Sequence, residues 1–246
     1  PTESIPNACL GWAETQAAYR FLSNPRSDWQ ALLEPHWASS LERMRQHKVV
    51  LNIQDTTELD FNGRQTAGLG PLSYEAQRGM YLHPTYAISP EREPLGVLDA
   101  WMWAREPKDS DGRRPGTKES LRWIEGYERV AERAKALPGV RQIYVADREA
   151  DILALLVKAR DLEYAADYLV RCQHNRALPS GDKLWAKPAQ APAPGSVGFE
   201  LPSGPGRTAR CVQPNIRAEP VERVDGAGGQ LSVTFLLSQG SNPPAD

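Results

Sequence analysis

The sequence predicts an α/β protein built on a mixed β-sheet with flanking helices. Short apolar runs with β-branched residues recur at 49–53, 80–88, 95–103, 142–146 and 168–170, each bounded by turn residues. The first three follow one another with no helix between them, and helical periodicity separates the last three. Composition allows such a core: of 246 residues 40% are hydrophobic and 24% charged, with 19 Gly and 21 Pro, which excludes a collagen, a coiled coil and a disordered chain. A chain of this length buries ~70–75% of its unfolded surface.

Residues 1–47 read as helical. Trp12, Tyr19, Phe21 and Leu22 mark one helix, which stops at Asn24-Pro25 because the residue before proline disfavours the α region. A second helix starts at Ser27 or Asp28 and runs through Trp29, Leu32, Leu33, Trp37, Leu41 and Met44, bent by Pro35. The run 49–53 is a buried strand ending at Gln54-Asp55-Thr56-Thr57, and 62–70 is turn-like. Ser89-Pro90-Glu91-Arg92-Glu93-Pro94 joins the next two strands as a hairpin, and 105–115 is a polar loop. Thr117 opens an amphipathic helix (Leu121, Trp123, Ile124, Tyr127, Val130, Ala131, Ala134) that ends at Leu137-Pro138-Gly139. The strand 142–146 stops at Asp147, a helix follows at once, and 168–170 is the fifth strand. Pro and Gly dominate 178–206; 209–212, 216–224 and 231–237 read as antiparallel strands. The domain reading is a helical segment 1–47, a core 48–177 and a β-rich segment 178–246. On pattern alone a ribonuclease-H-like core is one option among several.

Several function classes fall away. The longest apolar runs are about six residues, so nothing spans a membrane, and the start Pro-Thr-Glu-Ser does not read as a signal peptide. Cys9, Cys172 and Cys211 are odd in number and have no CxxC spacing, which fits a reducing compartment. His36, His47, His83 and His174 lack zinc-site spacing, and no phosphate-binding or nucleophile-elbow motif is present.

Two acids stand at the carboxyl ends of buried strands, Asp55 after 49–53 and Asp147 after 142–146. Sites gather at strand carboxyl ends in open α/β sheets, and such carboxylates suit Mg²⁺ or Mn²⁺ with phosphate oxygens completing the shell. Two ions would serve both the attacking and the leaving oxygen of a phosphoryl displacement. The same residues also fit a purely structural account, Asp147 as a helix N-cap and Asp55 as an Asx-turn residue. Charge adds a second signal. From Arg171 to Arg217 seven basic residues (Arg171, Arg176, Lys183, Lys187, Arg207, Arg210, Arg217) face two acids, a local +5 in a chain whose net charge is −2. That segment supplies counter-charge for a phosphodiester backbone, or is a solvated loop.

The string Asp147-Arg148-Glu149-Ala150-Asp151-Ile152 resembles the signature around the second catalytic aspartate of bacterial cut-and-paste DDE transposases of the kanamycin-resistance-transposon type. Ala18-Tyr19-Arg20-Phe21-Leu22-Ser23-Asn24-Pro25, Asp55-Thr56-Thr57 and Val170-Arg171-Cys172-Gln173-His174-Asn175-Arg176 resemble further segments of that family, in its order. The resemblance implies a ribonuclease-H-like mixed five-stranded sheet with a β-rich insertion after strand five. It implies Asp55 and Asp147 as metal-binding catalytic carboxylates holding two Mg²⁺ (or Mn²⁺) ions. Arg148, Arg171, His174 and Arg176 would face transposon-end DNA, and the basic segment adds Lys183, Arg207 and Arg210. Partners would be double-stranded end and target DNA, with a homodimer in the full-length family, in the bacterial cytoplasm. The family's third acid, in a Tyr-x-x-Arg-x-x-x-Glu frame on a helix, has no counterpart here: Tyr168-Leu169-Val170-Arg171 is followed by Asn175. The sequence therefore implies a core cut short at both ends. Two other readings stand beside it, a DNA-binding or inhibitory fragment without cleavage and a metal nuclease of the same fold.

Overall fold

The computed structural model describes residues 4–63, 66–206, 208–225 and 228–240. The chain divides into two compact units, one of residues 1–118, 132–145 and 166–168 and the other of 119–131, 146–165 and 169–246.

The first unit begins with α1 (Ile5–Ala8), α2 (Trp12–Leu22) and α3 (Trp29–Met44). The apolar residues that mark α2 in the sequence, Trp12, Tyr19, Phe21 and Leu22, all remain exposed. Asp28 caps α3 by accepting from the Gln30 amide at 3.3 Å, and Pro35 lies inside that helix. The strands are β1 (Val49–Gln54), β2 (Thr57–Asp60), β3 (Gly70–Pro71), β4 (Arg78–Ile88), β5 (Pro94–Trp103), β6 (Arg141–Ala146) and β7 (Asp167–Val170). β4 pairs antiparallel with β5 on one side and with β1 and β2 on the other, and the sheet continues β1-β6-β7. The Arg141 amide donates to the Lys48 carbonyl at 2.8 Å, so β1 and β6 start together and run parallel. Arg141 and Asp167, the first residues of β6 and β7, pair at 2.5 Å, and β7 follows the same direction. The order is thus three antiparallel strands followed by two parallel to β1, with β2 and β3 added to the five strands the sequence predicts.

The buried face of β1 changes character along the strand. Val50 joins Met44, Ala87, Leu95, Leu98, Leu137 and Val140 in an apolar core. Asn52 and Gln54 then turn polar groups inward, where Asn52 donates to Gln142 at 2.9 Å and Gln54 donates to Thr85 at 2.6 Å. The polar end is the one that leads to Asp55.

α3 packs on β5 by contacts that leave no room for a side chain at Gly96. Arg43 donates to the Leu95 carbonyl at 2.6 Å, and the Val97 amide donates to His36 Nε2 at 3.2 Å. Gly96 has φ +127°, and a Cβ there would lie 2.2 Å from Ser40 Oγ. Gly96→Ala combines left-handed backbone strain with a clash at a helix–sheet contact. Urea denaturation is expected to show a loss of more than ~2 kcal/mol; a neutral result would mean that α3 does not hold this packing.

The second unit contains most of α4 (Ser120–Ala136), a 3-10 turn (Arg148–Ala150), α5 (Leu153–Asp161), α6 (Ala186–Gln190) and β8 (Gly195–Ser196) to β12. β9 (Phe199–Leu201) pairs with β10 (Arg210–Val212), and β11 (Asn215–Val224) forms a long antiparallel hairpin with β12 (Gln230–Gln239). Its core is Leu178, Leu184 and Val221, with Cys172, Val233 and Phe235 packed against it. The three cysteines are free thiols. Among the described residues no helix is long and apolar enough to cross a membrane.

Candidate metal and nucleic-acid site

Asp55 occupies a gap between β1 and β2. Gln54 pairs with Thr85 and Thr57 pairs with Leu82, so the register is unbroken across the gap and Asp55 falls opposite Pro84, Thr56 opposite His83. Proline has no N–H to give a ladder, which accounts for an interruption at this point. Asp55 is exposed, and its Oδ1 accepts from the Thr56 amide at 2.8 Å.

Asp147 follows β6 by one residue in the second unit. The sequence places a helix directly after it, whereas the chain first makes the 3-10 turn and enters α5 only at Leu153. Asp147 caps that turn by accepting from the Glu149 amide at 2.7 Å. Asp147 thus has its capping role, on a turn in place of a helix, whereas the Asp55 bond reaches only the next amide and is not an Asx turn; each contact uses only Oδ1. Among the described residues the second oxygen of both carboxylates takes no hydrogen bond, leaving hard donors of the type Mg²⁺ and Mn²⁺ accept. No group of three His, Cys, Asp or Glu able to hold a metal exists among the described residues.

The structure gives the other residues of the signature string separate jobs. Ala150 is fully buried and Arg148 is exposed. Asp151 ends the turn and gathers the segment after β7. Its Oδ2 accepts from the amides of Gln173 (2.8 Å) and His174 (3.0 Å), and its Oδ1 pairs with the Arg176 guanidinium. Burial pushes the Asp151 carboxyl up, but the Gln173 amide, Arg176 and the His174 amide outweigh it and hold it below its ordinary value. The segment is fixed further where the Arg171 amide donates to the Ala146 carbonyl at 3.1 Å and the Trp185 amide to Asn175 Oδ1 at 3.0 Å.

Of the expected DNA contacts, Arg148, Arg171, His174, Lys183 and Arg210 are exposed and make no side-chain ion pair among the described residues. Arg176 differs: its guanidinium is taken up by Asp151. Arg207 lies outside the described residues. Two other members of the basic segment are also held, Lys187 by Asp182 at 2.8 Å and Arg217 by the Ala191 carbonyl. A count of charges along the chain cannot see these internal partners. Arg223, which the sequence reading did not single out, is 9% exposed and its Nε is buried without a partner among the described residues. His83, Gln54 and Thr85, buried beside the Asp55 gap, also escaped it, although Pro84 inside an otherwise good strand is a visible signal of an interrupted ladder.

Residues 1–27 match the family model described as transposase DNA-binding. Among solved structures, the chain is similar to the cryo-EM structure of the piggyBac transposase synaptic complex with hairpin DNA, at 11% identity and a TM-score of 0.37. That likeness covers 96% of this chain and 42% of the other, so the chain spans less than half the length of that protein.

Proposed function

We propose that this chain is the catalytic core of a metal-dependent DNA transposase acting by cut-and-paste on transposon ends. The observation that carries the reading is a transposase DNA-binding match at residues 1–27 on the same chain as Asp147-Arg148-Glu149-Ala150-Asp151-Ile152, placed at the end of an internal strand. The strand order β5-β4-β1-β6-β7, with the last two parallel to β1, supports a ribonuclease-H-like core. Asp55 and Asp147 each stand one residue past a strand, as site residues of α/β sheets do.

In this reading Asp55 and Asp147 are each metal ligands, and each would offer its unengaged oxygen to Mg²⁺ or Mn²⁺. The bound ions supply Lewis-acid activation for phosphodiester displacement. Arg148, Arg171, His174, Lys183, Arg207 and Arg210 neutralise and position the DNA backbone, and Arg176 braces the 171–176 segment from behind. Calorimetric titration with Mn²⁺ tests the proposal. Loss of a supporting residue around a metal costs ~10–100-fold in affinity, so removal of a ligand by Asp55→Ala or Asp147→Ala is expected to cost more than ~100-fold. Binding that survives both substitutions rules the metal reading out. DNA binding that persists in a chain without Mn²⁺ affinity identifies the alternative, a DNA-binding fragment without cleavage.

A further inference from the structure

We propose that His83 is a positioning residue for Asp55; the inference deepens the metal reading and rests on it only for the role of the carboxylate. His83 is fully buried on β4 and touches both chain neighbours of Asp55. Its Nδ1 lies 2.8 Å from Thr56 Oγ1, and its Nε2 lies 3.4 Å from Gln54 Oε1. Gln54 in turn spends its amide nitrogen on Thr85 Oγ1 at 2.6 Å, which leaves its oxygen toward the imidazole. An amide oxygen only accepts, so Nε2 carries the proton and donates to it. Nδ1 of the neutral ring is then the acceptor, and the Thr56 hydroxyl donates to it. Each hydrogen-bonding position has one direction, and the chain runs Thr56–His83–Gln54–Thr85.

The arrangement answers a mechanical problem. Opposite Pro84 the ladder has lost a donor, and Asp55 and Thr56 belong to neither flanking strand. A carboxylate on an untethered two-residue link would sample many directions, and metal ligation or phosphate chemistry needs one. The imidazole replaces the missing backbone tether with two side-chain hydrogen bonds, one on each side of Asp55. Trp101 meets the ring edge-on at 5.6 Å and fixes the imidazole from the next strand. The carboxylate itself stays outside this network, exposed, with Oδ1 on the Thr56 amide. That amide is therefore a reporter of whether Asp55 is held.

Amide hydrogen exchange by NMR on the full chain, without metal, reads the tether directly. Thr56→Val keeps the shape of the side chain and removes its hydroxyl; His83→Phe keeps the packing on Trp101 and removes both ring nitrogens. Both are expected to speed exchange of the residue-56 amide ~10-fold after correction for intrinsic rates, the equivalent of one lost hydrogen bond. Thr56→Ser, which keeps the hydroxyl, is expected to stay within about twofold of the parent. Acceleration spread over the whole β1–β4 ladder, or shared by Thr56→Ser, overturns the inference, because packing alone would then explain it. Unchanged exchange in Thr56→Val and His83→Phe overturns it as well. A Mn²⁺ titration of the same variants separates this inference from the metal reading. Affinity weakened ~10-fold in Thr56→Val and not in Thr56→Ser supports both. Affinity indifferent to Asp55→Ala removes the metal reading while the exchange result stands on its own.

Discussion

Asp151→Ala is expected to destabilise the chain by ~3–5 kcal/mol, the cost of leaving a buried charge without its partner. The Asp151 side chain is 8% exposed and that of Arg176 17%, so water cannot replace the lost contact. The substitution removes three acceptor contacts at once: two backbone amides lose their only carboxylate, and the guanidinium loses its counter-charge. Arg223 makes the loss worse. Burial and the like charge of Arg176 hold its guanidinium below the ordinary arginine range, while Asp151 is among the groups that favour its charged form. Without Asp151, two arginines share a buried region that has lost its carboxylate. For a chain of this size the cost corresponds to a Tm lower by roughly 10 °C.

The same pair sets a pH dependence. The folded-state pKa of Asp151 is depressed, so its contribution is fully present above the unfolded-state value and is lost as pH falls through the folded one. Acid unfolding of the parent is expected to steepen below the usual carboxylate range, and Asp151→Ala is expected to lack that component. Urea denaturation followed between neutral pH and about pH 3 measures both effects. A cost under ~1 kcal/mol with an unchanged acid limb would mean that the segment after β7 is held by other contacts.

These two residues also mark what a single sequence can reveal. β1, β4, β5 and β6 were legible as short apolar runs between turn residues, and in β1, β4 and β6 the buried side chains alternate. β2 was not: Thr57-Glu58-Leu59-Asp60 is almost wholly exposed and is held by backbone pairing to β4, which leaves no apolar signature. β3 is only Gly70–Pro71, too short to show a period. The position of Asp55 and Asp147 just past a strand was legible from the apolar runs that precede them. The role of Asp151 was not, since an acid early in a helix looks the same whether it faces solvent or grips an arginine 25 positions away. His83 was hidden for the opposite reason. A lone histidine in a strand reads as a core residue, and only the pairing of Thr56 opposite it turns the burial into a tether.

Duplex DNA binding is expected to weaken by roughly two orders of magnitude as monovalent salt rises from about 50 to about 200 mM. Arg148, Arg171, Lys183 and Arg210 are exposed cations without an ion pair among the described residues. Four phosphate contacts give a slope of about −3.6 in log affinity against log salt, since each neutralised phosphate contributes ~0.9. Arg176, Lys187 and Arg217 do not enter this count because Asp151, Asp182 and the Ala191 carbonyl already hold them. The distinction gives the experiment its resolving power. Lys183→Gln and Arg210→Gln should each flatten the slope by about one unit and weaken all sequences alike. Lys187→Gln frees Asp182 and removes a cation that was already paired, so its slope should match the parent. Fluorescence anisotropy with a labelled duplex, titrated at four or more salt concentrations, measures all of them. A parent slope shallower than about −2, or a Lys187→Gln effect equal to that of Lys183→Gln, would show that linear charge along the segment, and not the unpaired cations, governs contact with DNA.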